Sequence, residues 1–381
     1  MGRKERRMNI ERMLYVYLFI CLGMIFFDVA MAVSFRRREK RTVKVSSEFR
    51  DKVSRELENI EKGGKVDEAH KQFMEKKLKK INNMIAFDGM LEEIFDEKEE
   101  LVKEYLSQLE SVFADLTSYY CKRNQLESAY YPYIIKKYRL IEGNPNSSIV
   151  EAMYRMLNID YLYGRENAMQ AIYTTGDSHC VVKAVKILDR SNIFFNSKLL
   201  TDGLLNFTGD RAELDRQFTH DFENFSPEMQ VTLLNYLRFS SGDHQEFACS
   251  LLSDEHRDNE LRYSAIRYLA KYPYEKAGEL ISKMAVSGSD ASWQYAAIAS
   301  TALASYPSAE NIEILKNNLY SSNWYVRFNS AGSLEKLGIT YLELVEVIDG
   351  EDRYASEILR YRMKADKMKT DNMRKKETQG A

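Results

Sequence analysis

The chain has 381 residues, enough for more than one folded unit, and its 55 basic and 57 acidic side chains leave a net charge of −2. That balance hides a split: the first fifty residues hold 12 basic and 5 acidic side chains, and the remainder is net acidic. An acidic body lacks the basic face that neutralises phosphates, which argues against nucleic-acid binding. The four cysteines, widely spaced and with Cys21 inside an apolar stretch, form no disulfide framework.

Residues 1–12 form a basic tail, and residues 13–35, MLYVYLFICLGMIFFDVAMAVSF, carry one charge, Asp28. The stretch is long enough to cross a hydrocarbon core of about 30 Å as a helix. Twelve Leu, Ile, Val and Phe residues outweigh the roughly 3 kcal/mol cost of Asp28, so the segment is predicted to be a single transmembrane helix. A secretory signal peptide is the rival, because Ala30-Met31-Ala32 has the small-x-small form of a cleavage site, but the basic run directly after it opposes export. Asp28 is a candidate intramembrane contact with a polar group on another helix, or it reaches the headgroup region. Basic residues flank both ends almost equally, so charge alone does not orient the span. The absence of a disulfide framework favours a cell-membrane protein with its large domain in the cytoplasm.

Residues 36–141 are highly charged and helical in pattern: a basic juxtamembrane segment, then a helical spacer or cap. Ser46 to Lys62 is predicted as a helix stopped by Gly63-Gly64, and Lys65 to Met84 as another. The acidic run from Asp96 to Glu100 is expected to be a solvated face. Tyr119, Tyr120, Tyr130, Tyr131, Tyr133 and Tyr138 cluster next. They are expected in a helix pair that caps the open end of the helices C-terminal to them, rather than in a docking surface.

Residues 142–225 resemble degraded copies of a unit that is clear over residues 226–350. There, stretches beginning at Ser226, Asp258, Asp290 and Asn323 align at spacings of 32, 32 and 33 residues. The four leading residues have side-chain oxygens suited to capping a helix. Met229, Leu261, Trp293 and Val326 share the next apolar column. Leu233, Ala265, Ala297 and Ser330 share a small one, with Leu234, Ile266, Ile298 and Ala331 beside it, giving one apolar stripe per helix. A second apolar segment completes each unit, as in Ala277, Leu280, Ile281 and Met284, and Pro273 and Pro307 punctuate the turns. Such a hairpin cannot bury enough surface alone, so neighbours must stack. Residues 351–381 are expected to form a C-terminal helix and a frayed tail.

The stretch NWYVRFNSAGSLEKLG from Asn323 resembles the first helix of a HEAT repeat of the short bacterial type found in phycobilin-lyase relatives. In that pattern a polar cap precedes an apolar-Arg pair and the helix closes on Leu-Gly. Val326-Arg327 and Leu261-Arg262 match the pair, whereas Gln230 and Gln294 depart from it. The resemblance implies an all-α fold, a right-handed superhelical α-solenoid of HEAT-like hairpins in the armadillo class, used for protein binding.

No catalytic, cofactor-binding or metal-binding pattern emerges: the five histidines form no His-x-x-x-His, and no Cys-x-x-Cys or phosphate loop is present. No cofactor and no small-molecule substrate is therefore expected. Cys180, in the apolar helical stretch HCVVKAVKIL, is expected to be core. Trp293 is expected to be core too, whereas Trp324 precedes its column by two and is a candidate partner-binding anchor. Arg262 and Arg327 either line a concave face as partner contacts or bond a cap carboxylate or turn carbonyl of an adjacent repeat. The expected function is a membrane-anchored scaffold or adaptor that binds a protein partner, such as a cell-envelope assembly. The alternative is a lyase-like enzyme with its site in the concave groove.

Overall fold

The computed structural model describes residues 2–191, 193, 195–286 and 293–363. The described residues contain no strand; the chain is all-α, with helices packed side by side. It divides into two compact units, Met1–Thr175 and Gly176–Ala381. The sequence-derived boundaries at 141 and 225 fall inside these units, because the helix Gln125–Lys137 packs on Leu162–Tyr173 and carries residues 142–175 into the first.

In the first unit, α1 runs without a break over Gly2–Glu61, where separate helices were expected for the span and for Ser46–Lys62. No Gly or Pro lies between Met24 and Lys62 to interrupt it. It ends where Gly63 adopts φ +80°, a left-handed conformation that favours glycine. Phe49, Val53 and Leu57 on its C-terminal half are buried, at the spacing of one helix face. α2 (Glu68–Leu78) and α3 (Ile81–Phe95) come next. The single helix expected from Lys65 to Met84 is broken because Lys80 is extended and the Asn83 Nδ2 donates to the Lys77 carbonyl at 2.9 Å. α4 (Glu99–Gln108), α5 (Glu110–Tyr120), α6 (Gln125–Lys137), α7 (Ser148–Met156) and α8 (Leu162–Tyr173) complete the unit. α1 packs on α3 and α4, α2 on α5, α5 on α7 and α6 on α8. Most of the segment expected as spacer is thus folded core.

The tyrosines between α5 and α6 lie largely within that core. Tyr120 and Tyr131 are fully buried and stacked with ring centroids 5.3 Å apart. Asp88 of α3, itself buried, accepts from Tyr130 OH at 2.6 Å, Tyr138 OH at 2.7 Å and Lys137 Nζ at 2.7 Å. Burial pushes the Tyr138 hydroxyl up, and the Asp88 carboxylate beside it pushes it further, so this proton stays on the phenol.

In the second unit, α9 (Ser178–Arg190), α10 (Ser197–Leu204), α11 (Arg211–His220), α12 (Pro227–Ser240), α13 (Gln245–Ser253) and α14 (Asn259–Lys271) come first. They are succeeded by α15 (Gly278–Ala285), α16 (Trp293–Ala302), α17 (Ala309–Asn318), α18 (Trp324–Lys336), α19 (Val345–Ile348) and α20 (residues 353–363). α10, α12, α14, α16 and α18 pack each on the next; α9 packs on α11 and α15 on α17. Ser226, Asp258 and Asn323 cap α12, α14 and α18, accepting from the backbone of Met229, Glu260 and Tyr325; Asp290 lies outside the described residues. Leu261, Val326, Leu233, Ala265, Ala297 and Ser330 are buried as their columns require. Trp293 is partly buried, against Ala296, Ala297 and Val326.

The small column lets helix backbones approach, and side chains then bond across one unit. Asn329 Nδ2 donates to the Ala297 carbonyl at 2.8 Å and Ser333 Oγ to that of Ser300 at 2.7 Å. Lys271 Nζ reaches the Arg238 carbonyl at 2.9 Å and Asn318 Nδ2 that of Ala285 at 2.7 Å. These four bonds span 32 or 33 residues, the same period as the sequence columns.

Candidate functional site

The column that holds Arg262 and Arg327 serves one local purpose. Arg262 Nε donates to the Leu252 carbonyl at 3.2 Å, at the end of α13. Arg327, buried, donates from Nη1 to the carbonyls of Ser321 at 2.5 Å and Ser322 at 3.0 Å, just past α17. Gln230, which departs from the apolar-Arg pattern, does the same work: its Nε2 bonds the Phe222 and Phe225 carbonyls at 3.1 and 3.2 Å. Carbonyls at a helix C-terminus lack intrahelical donors, so a side-chain donor from the next helix satisfies them. Each guanidinium also lies over an aromatic ring, Arg262 5.1 Å from the Tyr295 centroid and Arg327 5.2 Å from that of Tyr354. The observed bonds go to turn carbonyls of the preceding repeat and not to a cap carboxylate.

Trp324 opens α18, directly after its Asn323 cap, where the capped turn aims the indole away from the buried stripe. It is 48% exposed. Its ring stacks on Phe328 at 4.8 Å and meets Tyr325 edge-on at 5.1 Å, and Tyr325 in turn stacks on Trp293 at 5.6 Å. Together with Arg327, Tyr354, Glu357, Ile358 and Tyr361, Trp324 lines a cleft of about 240 Å³ between α18 and α20. Tyr354 and Tyr361 are 65% and 61% exposed, one helix stripe apart by seven residues. Exposed Trp and Tyr side chains around a buried Arg, held by stacking, have the composition of protein-binding hot spots. Tyr354 and Tyr361 were missed by the sequence reading. Their spacing of seven was visible, but nothing local told that this face is turned outward beside Trp324.

Asp28 lies at the other end of the chain, on the exposed part of α1. The window Tyr17–Ser34 has mean hydropathy 2.1 and none of it is buried. By length and composition it is a helix able to cross a membrane; a signal sequence passes the same test.

Elsewhere, α9 and α11 flank an open groove of about 760 Å³ lined by His179, Lys186, Arg216, His220 and Asp221 among others. Lys186 Nζ pairs with Asp221 at 2.6 Å and Arg216 with Glu213 at 2.6 Å, so the charges lining it are largely spent on one another. Cys180 is buried in the first turn of α9, which Asp177 caps through the Cys180 N–H at 2.8 Å. Among the described residues no three His, Cys, Asp or Glu side chains are grouped to hold a metal. No protein-family model matches the chain, and no curated protein matches it significantly.

Proposed function

We propose that this chain is a membrane-anchored scaffold: α1 spans a bilayer, and a HEAT-like solenoid formed by the stacked hairpins of the second unit grips a protein partner at that membrane. The observation that carries the reading is the exposed apolar window Tyr17–Ser34, which continues without a break into a helix that packs one face, Phe49, Val53 and Leu57, into a folded body. Soluble monomers rarely expose so large a contiguous apolar surface. The 32-residue ladder of bonds in the second unit supports the repeat reading, since each layer then meets only its neighbours. The cleft at Trp324 supplies the partner's anchor point, and Asp28 a polar contact inside the bilayer. Confinement to one membrane raises the effective concentration of the partner, so a modest contact suffices.

The test is photo-crosslinking from position 324 in native membranes, with wild type compared to Trp324→Ala and Asp28→Leu. The expected result is one dominant membrane-associated product, reduced at least severalfold in the Trp324→Ala chain. An unchanged product pattern in both variants would defeat the adaptor reading. Cleavage after Ala32 in the mature chain would defeat the anchor.

A further inference from the structure

We propose that the span-facing end of the first unit is a docking surface for anionic phospholipid headgroups, a proposal that rests on Tyr17–Ser34 being a membrane span. Because α1 is continuous, Val43 stands about 13 Å beyond Ser34 at about 1.5 Å per residue. The headgroup layer adds about 5–8 Å to each side of the hydrocarbon core, and charges act across roughly 8–10 Å at ordinary ionic strength. The end of the unit nearest the span is therefore within electrostatic reach of the lipid surface.

The fold gathers cations at that end. α2 runs back along α1: His70 lies 3.8 Å from Glu56, whereas Lys77 pairs with Glu48 at 2.7 Å, eight residues nearer the span. The α2–α3 turn, with Lys79 and Lys80, is thereby returned to the span-facing end. α3 then sets out beside α1, and Thr42, Val43, Ser46, Ile85 and Gly89 line a groove of about 530 Å³ between them. Three acids of this region are engaged, Glu48 by Lys77, Glu75 by Lys79 and Glu93 by Arg50, whereas Asp51 is exposed. Lys40, Arg41, Lys44, Lys76 and Lys80 are exposed and have no acidic partner among the described residues.

Two large apolar side chains are exposed among these cations, Val43 at 65% and Ile85 at 44%. Uncompensated Lys and Arg around exposed aliphatic groups, next to a membrane span, match what an anionic leaflet attracts. The continuity with the span commits the surface to lipid rather than to a free anion, since the bilayer is the one polyanion that α1 delivers there.

The experiment reconstitutes the full chain into phosphatidylcholine vesicles with and without phosphatidylglycerol, floats them, and measures lysine acylation by mass spectrometry. Lys65, past the far end of α1, serves as the internal reference. The expected result is a slowing of about fivefold at Lys80 relative to Lys65 in anionic vesicles only, reversed by high salt. In a chain carrying Lys44→Glu and Ile85→Asp the slowing should fall away, with Lys65 unchanged. Equal rates in the two vesicle types overturn the proposal while leaving the anchor intact. Equal slowing by inorganic phosphate added to the phosphatidylcholine vesicles overturns the assignment to lipid. A chain that fails to float removes the anchor reading and the proposal with it.

Discussion

The two units differ in the polar contacts that link their helices. In the first, one carboxylate, Asp88, gathers two phenols and an ammonium from a helix that lies 42 to 50 residues further along the chain. In the second, single side chains reach single backbone carbonyls one period away, and the pattern repeats from helix to helix. A hub concentrates stability in one residue, whereas a ladder spreads it over equivalent rungs. The units should accordingly differ in how they fail.

The largest effect is expected at the hub. Asp88→Ala removes the carboxylate that Tyr130, Tyr138 and Lys137 share, leaving Tyr138 the main-chain carbonyl of residue 88 and Lys137 the Glu92 carboxylate, which costs about 3 kcal/mol. Hydrogen exchange on the full chain should show the loss throughout α3 and α6, with the second unit keeping its protection. Loss of protection in both units alike would break the comparison.

A middle effect is expected at the small column. Ala297 is 4% exposed, with Val326 and Trp293 packed around it and its carbonyl bonded by Asn329. Ala297→Leu should cost about 1–3 kcal/mol by overpacking and should lower protection in α16 and α18 before α12. Urea unfolding combined with exchange at each helix measures that order. A uniform loss over the second unit would mean that its layers are not separate rungs.

The ladder was legible in the sequence because everything it needs is local or periodic. Caps at Ser226, Asp258 and Asn323 each satisfy the first turn of their own helix, and the columns mark buried faces at a constant offset. The stop at Gly63 was legible for the same reason, a backbone conformation that favours glycine. The hub was not. Asp88 sits in the stretch INNMIAFDGM like any interior acid of a charged helical region, and its partners on α6 carry no offset that recurs elsewhere. Lys76 and Lys80 were equally hidden, because only the reversal of α2 along α1 brings them to the span-facing end of the unit. At the candidate partner site Trp324 was found from its offset against the column. Tyr354 and Tyr361 needed the placement of α20 against α18.

The smallest effect is expected at Arg327, and it sharpens what the column is for. If its main task is to satisfy the carbonyls of Ser321 and Ser322, glutamine should serve nearly as well, as Gln230 does for Phe222 and Phe225. Arg327→Ala, which removes that donor, should cost about 1 kcal/mol, and Arg327→Gln should stay within about 0.5 kcal/mol of wild type. Crosslinking from position 324 separates stability from recognition in the same pair of variants. If the partner reads the guanidinium beside Tyr354, the glutamine chain folds normally and loses the crosslink. If the arginine is wholly structural, the glutamine chain keeps both, and the contact narrows to Trp324, Tyr354 and Tyr361.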